Sequence, residues 1–407
     1  MEHKQNTAEV RGPLAGVRVL DCSTILAGPL ACQVLGDYGA DVIKIEHPTS
    51  PDGLRGHGRA VDGHGIWWKE VGRNKRTIGL YLGKVDGAEV LRGLVASADV
   101  LVENFRPGTF ERWGLSYETL AAINPGLIML RVTGFGQDGP YASRPAFGTL
   151  VEAMSGFAHL TGQPDGPPSL PAFGLADSIA GITGVAAVTM ALYHRDARGG
   201  TGQVIDLNLL QPIMTAVGPA PSIYDMTGEE PKRQGNRSSN NAPRNLYLTA
   251  DGHWLAVSTS ADAIARRVMA LVGRPEIAEE VWFATGASRA DHADELDEIV
   301  GGWIGDRDRD QVIKAFEEAG AAVAPVYSSA DLVEDPQVIH RGMLTRVDDP
   351  DLGSILQHDV LFDMGATPGR IRFAGRAAYA DTHEVLVGEL GISNDRFEDL
   401  CARGIVA

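Results

Sequence analysis

Short apolar runs and amphipathic stretches take turns along the first half of the chain. The apolar runs predict buried strands at Val17–Asp21, Asp41–Glu46, Asp99–Glu103 and Leu127–Val132. Between them, Gly28–Tyr38 and Ala88–Ala96 have the apolar spacing of helices. Apolar strands separated by helices are typical of a parallel sheet that is covered on both faces. We therefore expect an α/β fold with a parallel sheet in a large Rossmann-like domain.

The rest of the chain predicts a smaller α+β domain. A long helix is expected from Asp177 to about His194, and Gln203–Leu209 alternates like a strand. The polar segment Gly228–Arg244 is typical of a linker or a mobile loop. Further elements are predicted at Ala250–Gly252 (a hairpin turn), Ala261–Leu271, Ala293–Ile304, Arg309–Gly320 and Val323–Tyr327. We assign residues 1–220 to the large domain, with 330–407 returning to it, and residues 221–329 to the linker and small domain.

The charge balance excludes some classes of partner. The chain has 36 Lys and Arg against 53 Asp and Glu, a formal net charge of -17. Such a chain is a poor non-specific ligand for nucleic acid or an anionic membrane. The apolar run Ser178–Tyr193 is short for a membrane span and reads as a core helix. The N-terminus lacks a signal-peptide pattern, and three cysteines without metal-ligand spacing indicate neither a disulfide framework nor a metal site. A cytoplasmic protein is expected.

Asp177 stands just before the predicted long helix and allows two interpretations. Aspartate is a preferred helix N-cap, so its position alone favours a structural role. A helix N-terminus also stabilises negative charge by about 0.3–1 kcal/mol, which would keep the carboxylate ionised and able to attack an electrophile. The glycines around it would let a bulky substrate approach the backbone.

Basic residues form two clusters next to predicted elements of the large domain. Arg73–Arg76 precedes the apolar stretch Thr77–Leu82, and Arg106 and Arg112 follow the strand that ends at Glu103. They could be ordinary charged surface. Ligands of open parallel sheets bind at the carboxyl ends of the strands, and arginine suits phosphate, so a phosphate-bearing ligand is the alternative.

Other motifs give weaker signals. Gly134–Gly139 fails as a dinucleotide fingerprint because its third glycine precedes Pro140 instead of opening a helix, which argues against a nicotinamide enzyme. Trp67 and Trp68 are interpreted as core or dimer contacts.

The ordered set of motifs resembles the class III CoA-transferases, a family that includes α-methylacyl-CoA racemases and formyl-CoA transferases. The matching stretches are Pro13–Asp21, Ala27–Pro29, Gly39–Glu46, Asn74–Arg76, Val102–Gly108, Thr133–Gly136, Gly139–Tyr141, Ala176–Asp177, Gly202–Gln203 and Thr249–Gly252. The resemblance implies a Rossmann-like domain, a small domain and an interlocked homodimer. It also implies acyl-CoA and a free carboxylic acid as substrates, without a tightly bound cofactor.

The resemblance assigns roles to individual residues. Asp177 matches the nucleophilic aspartate of the family, which forms an aspartyl anhydride and then an aspartyl-CoA thioester. Residues similar to those of the family's CoA site are Leu26, Ala27, Leu80, Asn104, Phe105 and Arg112, with Lys75 and Arg76 near it.

Differences from the family pattern indicate the sub-class. Racemases of the family carry a histidine where this chain has Phe147, and a phenyl ring cannot exchange a proton, so a transferase is favoured. The formyl-CoA enzyme has glutamine and glutamate where this chain has Leu26 and Gly148, which indicates a larger or more apolar acyl group. The alternatives are a racemase-like enzyme and a catalytically silent acyl-CoA-binding protein.

Overall fold

A computed structural model describes residues 12–407. Within these residues the strands are β1 (Arg18–Asp21), β2 (Asp41–Glu46), β3 (Ala60–Val61), β4 (His64–Gly65), β5 (Lys75–Gly79), β6 (Val100–Glu103), β7 (Ile128–Thr133), β8 (Val204–Asn208), β9 (Arg244–Leu248), β10 (Trp254–Ser258), β11 (Val323–Pro325), β12 (Leu344–Asp349) and β13 (Gly353–His358).

The α-helices follow the same chain order. They are α1 (Ala27–Asp37), α2 (Ile66–Val71), α3 (Val85–Val95), α4 (Thr109–Arg112), α5 (Tyr117–Ile123), α6 (Gly148–Met154), α7 (Phe157–Leu160), α8 (Leu175–Arg198), α9 (Leu210–Val217), α10 (Ala220–Thr227), α11 (Asp262–Leu271), α12 (Gly286–Asp291), α13 (Ala293–Gly305), α14 (Arg309–Glu318), α15 (Ser329–Glu334), α16 (Pro336–Arg341) and α17 (Asn394–Ala402). Short 3₁₀ turns occur at Gly53–Gly56, Pro275–Glu279 and Val281–Ala284, and a π-helical turn at Glu384–Glu389.

The main sheet has six strands in the order β5-β2-β1-β6-β7-β8, and every pairing is parallel. Its central strands are buried, as the continuous apolar runs require. The predicted α/β class with a parallel sheet is confirmed. β5, at one edge of the sheet, was not predicted as a strand, because it begins with the basic pair Lys75 and Arg76 and only its second half falls in the apolar stretch Thr77–Leu82.

The chain divides into two compact units. Among the described residues, one contains 12–155, Pro171–Gly218 and Ile339–Ala407, and includes the parallel sheet. The other contains Gly156–Leu170 and Pro219–Val338, with an antiparallel sheet in the order β11-β10-β9. The polar segment predicted as a linker belongs to this second unit, where the Gly235 N–H donates to the Gly162 carbonyl.

Helix α8 packs closely against α1. An added Cβ at Gly181 would lie 3.0 Å from the Ala27 carbonyl oxygen, and one at Gly184 would lie 3.1 Å from the side chain of Leu130 on β7. A larger residue at Gly181 would therefore push α8 away from α1, and one at Gly184 would push it away from the sheet. By length and hydropathy α8 could cross a membrane, but core helices pass the same test, and the residues along this seam are packed inside the unit.

Candidate active site

A cavity of about 690 Å³ lies at the carboxyl ends of the central strands. The residues that follow β1, β6, β7 and β8 line it, together with α1 and the start of α8; they include Thr24, Ile25, Leu26, Ala27, Asn104, Thr133, Gly134, Leu209 and Asp177. This edge is where open parallel sheets bind ligands. Among the lining residues Asp177 is the one carboxylate. We call this space the Asp177 cavity.

The loop after β1 is held in a strained but well-supported conformation. The Asn104 amide bonds both ways to Thr24: it accepts from the Thr24 N–H at 2.8 Å and donates to the Thr24 carbonyl at 2.7 Å. Ile25 has φ of 66°, which is unfavourable for a β-branched residue. Its N–H donates to the Asp52 carboxylate at 2.9 Å. These bonds turn the chain from β1 into α1 and bring Leu26 and Ala27 to the cavity.

Asp177 is not the N-cap of α8, contrary to the sequence interpretation. The helix begins at Leu175, its N-cap is Gly174, and Asp177 is the third helical residue. Gly174 and Leu175 continue the helix one turn earlier than the apolar pattern indicates, so the carboxylate does not cap the helix. It accepts hydrogen bonds from the backbone N–H groups of Ala27 and of Asp177 itself. The first turns of both α1 and α8 therefore meet at this side chain.

Gly148 makes room for the Asp177 carboxylate, and Gly174 makes room for the neighbouring Leu26 side chain. A Cβ at Gly148 would lie 2.1 Å from the Asp177 Oδ2 atom, a distance at which one of the two groups must move. A Cβ at Gly174 would lie 2.5 Å from a methyl group of Leu26. The glutamate that formyl-CoA transferases carry at the position of Gly148 therefore does not fit beside Asp177 in its present rotamer.

The pKa of Asp177 is raised rather than lowered. Burial is the largest cause and the charge of Glu152 the second; together they raise the pKa from 3.8 to about 6, against the two backbone hydrogen bonds. Glu152 lies on α6, is 1% exposed, and accepts the Ala176 N–H at 3.0 Å. The helix N-terminus was expected to stabilise the ionised carboxylate, but removal from water outweighs that effect and raises the pKa. Asp177 is still mostly ionised above pH 7.

A buried ion cluster contacts the first turn of α1. Lys75 donates to the Asp21 carboxylate at 2.9 Å and to the Pro29 carbonyl at 2.7 Å, and Lys44 pairs with Asp52 at 2.8 Å. Burial alone would raise the pKa of Asp21, but the ammonium groups of Lys44 and Lys75 outweigh it and lower the pKa to about 2. All four charged groups are buried. The Lys75 bond to Pro29 fixes the first turn of α1, which faces Asp177.

Of the other predicted site residues, Leu26, Ala27 and Asn104 line the Asp177 cavity. Leu80 and Phe105 line a second cavity of about 260 Å³, with Thr24, Tyr81, Leu82, Gly83 and Trp113, and we call it the aromatic cavity. Thr24 lines both cavities. Arg112 is exposed and directly precedes Trp113 in the chain. Its guanidinium donates to the Thr109 hydroxyl at 2.9 Å.

Lys75 and Arg76 are placed differently from the other predicted residues. Neither is among the described residues that line the two cavities. Arg76 pairs with Asp41 at 2.7 Å and with Glu389. The Lys75 charge is paired with Asp21 in the interior and the Arg76 charge is paired with two partly exposed carboxylates, so in this structure they support α1 and the sheet.

Trp67, His57 and Glu152 are among the residues of the site that the sequence did not predict. Trp67 was interpreted as a core or dimer contact, yet it lines the Asp177 cavity and its ring lies 4.8 Å from that of His57, another lining residue. Glu152 is a single carboxylate in the otherwise apolar stretch Gly148–Met154, and that isolation was the available signal.

Comparison with known proteins extends over nearly the whole chain. The family model described as CoA-transferase family III matches residues 14–377. Succinyl-CoA–D-citramalate CoA-transferase of Chloroflexus aurantiacus is 38% identical over 395 residues, which cover 97% of this chain and 98% of that protein. Succinate–glutarate CoA-transferase of Agrobacterium fabrum is 36% identical over 343 residues, covering 83% and 85%.

A solved structure gives the same assignment. The crystal structure of a CAIB/BAIF family protein from Brucella suis matches with a TM-score of 0.81 and 32% identity, covering 93% of this chain and 100% of that one. The curated relatives act on CoA thioesters by their names, and the family match spans the parallel sheet and the Asp177 cavity. The chain belongs to the family III CoA-transferases.

Proposed function

We propose that this enzyme moves CoA from a short dicarboxylic acyl-CoA to a free carboxylic acid, with Asp177 as the covalent nucleophile. The observation that carries the proposal is that Asp177 is the one carboxylate lining the cavity at the carboxyl ends of the sheet. Glu152, the other nearby carboxylate, is buried and lies outside that lining. The relatives' names supply the substrate class, because they pair succinyl-CoA or succinate with citramalate or glutarate.

The chemistry is two acyl exchanges at one side chain. An Asp177 oxygen attacks the donor thioester carbonyl and the C–S bond breaks, which gives a mixed anhydride and CoA thiolate. The thiolate attacks the aspartyl carbonyl of the anhydride, forming an aspartyl-CoA thioester and releasing the donor acid. The acceptor carboxylate attacks this thioester to form a second anhydride and thiolate, and the thiolate then takes the acceptor acyl group and frees Asp177. Covalent catalysis divides one difficult exchange into easier steps.

The two cavities suit the two ends of CoA. The reactive end would lie at Asp177 between Ala27, Asn104 and Phe147, and the chain would pass Thr24, which lines both spaces. The aromatic cavity offers apolar and ring surface to the adenine end. Arg112 would contact phosphate, to which arginine binds through two parallel hydrogen bonds.

Variants of Lys75 and Arg112 distinguish a residue that stabilises the fold from a residue that binds CoA. Lys75→Met is expected to lower the free energy of unfolding by about 3 kcal/mol, because it leaves part of a buried ion cluster unpaired. Arg112→Ala is expected to leave stability unchanged and to raise the KM for acyl-CoA several-fold, because the side chain is exposed. Urea unfolding and steady-state kinetics measure both. A Lys75→Met protein of wild-type stability but raised KM would show that Lys75 binds CoA directly.

The proposed function is tested by CoA exchange. Purified enzyme is incubated with succinyl-CoA and a panel of mono- and dicarboxylic acids, and the acyl-CoA products are identified by mass spectrometry. We expect a new acyl-CoA with at least one short dicarboxylic acid. Failure to exchange with every acid, together with binding of acyl-CoA, would favour the silent binding protein.

The racemase alternative has one observation in its favour. His57 lines the Asp177 cavity, so a second proton-exchanging group is present although Phe147 replaces the family's histidine. Incubation of a 2-methylacyl-CoA with the enzyme in deuterated water tests this. We expect no α-deuterium above the rate without enzyme.

A further inference from the structure

Glu152 is placed where its charge acts directly on Asp177. It lies in the last turn of α6, and its carboxylate accepts the N–H of Ala176, the residue before Asp177, at 3.0 Å. The side chain is 1% exposed. Among residues 12–407, no lysine or arginine forms an ion pair with it. A buried carboxylate without a cationic partner carries a large desolvation cost.

A charge is not needed for the hydrogen bond that Glu152 makes. The amide oxygen of glutamine would accept the same N–H of Ala176 at similar geometry and without the cost of a buried charge. An ionised glutamate at this position therefore costs stability that the fold does not require. A residue that is costly for stability and adjacent to a reactive group is expected where function benefits.

The elements that pack against α8 carry other titratable groups, but none of these has the contact with the start of α8 that Glu152 has. α1 carries Cys32 and Asp37, β7 carries Arg131, β8 carries Asp206, and α9 carries none. Asp37 and Arg131 are held in ion pairs with Arg73 and Glu103. Of the charged groups around Asp177, including His57 on the cavity wall, Glu152 is the one whose charge raises the pKa of Asp177.

We infer that Glu152 is a positioning residue for the reaction: its carboxylate fixes the first turn of α8 and holds a negative charge beside Asp177 that strengthens the nucleophile. This inference rests on the proposed function of Asp177. A neighbouring negative charge makes the Asp177 carboxylate more basic and hence more nucleophilic. It also favours the acylated forms, because the anhydride and thioester remove the negative charge of Asp177 and with it the repulsion.

The pH dependence of the acylation step tests the inference. The quantity kcat/KM for succinyl-CoA reports groups of the free enzyme. Wild-type kcat/KM is expected to rise with pH through about 6, because protonated Asp177 cannot attack. In Glu152→Gln this acid limb should move down by about 0.5–1 pH unit, and the plateau of kcat/KM should fall about 3-fold.

Glu152→Asp is the matched control because it keeps the charge. Its limb should stay near that of the wild type, even if the shorter side chain lowers the plateau. An unmoved limb in a folded Glu152→Gln protein overturns the inference, since a purely structural residue would change the rate equally at all pH values. A wild-type limb near pH 4 overturns it without any variant.

The inference and the proposed function fail in different ways. Hydroxylamine trapping on the wild type asks whether Asp177 is acylated at all. No trapped Asp177 removes the proposed function and the inference with it. Trapped Asp177 together with an unmoved Glu152→Gln limb removes the inference alone.

Discussion

Asp177→Asn is expected to lower kcat/KM for CoA transfer by at least about 10³-fold, because an amide cannot replace the carboxylate as a covalent nucleophile. Asparagine has nearly the same shape and keeps an oxygen that can accept the Ala27 N–H. The loss should therefore be chemical and not structural. The assay is transfer from succinyl-CoA to the best acceptor found in the exchange panel.

The stability of the Asn variant provides its control. Folding raises the pKa of Asp177 from 3.8 to about 6, so the ionised side chain destabilises the fold above that range. Removing the charge should raise the melting temperature at pH 7.5, and the gain should shrink as pH falls through 6 towards 4. An Asn variant with near wild-type activity, and no conversion back to aspartate by mass spectrometry, would contradict the role of Asp177.

Gly148→Ala is expected to reduce kcat by about 10²-fold although it adds only one methyl group. The added Cβ would stand 2.1 Å from Asp177 Oδ2 and 3.2 Å from its Cγ, so the carboxylate must move by about 1 Å. Displacements of that size cost about two orders of magnitude when they misplace a reacting group. Steady-state kinetics with succinyl-CoA measures kcat, and the Kd for free CoA should change little.

Gly302→Ala is the matched control for Gly148→Ala. Gly302 lies inside helix α13, and an added Cβ there meets no atom within 4 Å. Its activity should be that of the wild type, and its stability should rise by about 0.5–1 kcal/mol, since alanine is the better helix former. Wild-type activity in Gly148→Ala would show that the position of the Asp177 carboxylate in this structure is not the reactive one.

The sheet could be predicted because the signal for each central strand lies within a short stretch of sequence. Each buried strand in its centre is a continuous apolar run, and runs such as Leu127–Val132 can be recognised without knowing their neighbours. The placement of the site at the carboxyl ends of the strands followed from the same topology. Strand β5 failed this test because Lys75 and Thr77 are polar and buried, and only their partners in space explain them.

The electrostatics of the site could not be predicted, because they depend on contacts between distant segments. Asp177 lies beside Ala27 and Glu152, which are far from it in sequence, and burial reverses the expected direction of its pKa shift. Lys75 had the right charge for a phosphate ligand, but the sequence did not show that Asp21 lies beneath it. The role of Gly148 was also hidden, because a glycine pattern does not indicate which atom needs the space.

The central claim is that Asp177 is acylated during turnover. Wild-type enzyme is incubated with succinyl-CoA without an acceptor acid, quenched with hydroxylamine, and digested for peptide mass spectrometry. We predict a hydroxamate on Asp177 that requires succinyl-CoA and is absent in Asp177→Asn. An enzyme that exchanges CoA while Asp177 stays unlabelled, or that carries the label on Glu152 instead, would contradict the account.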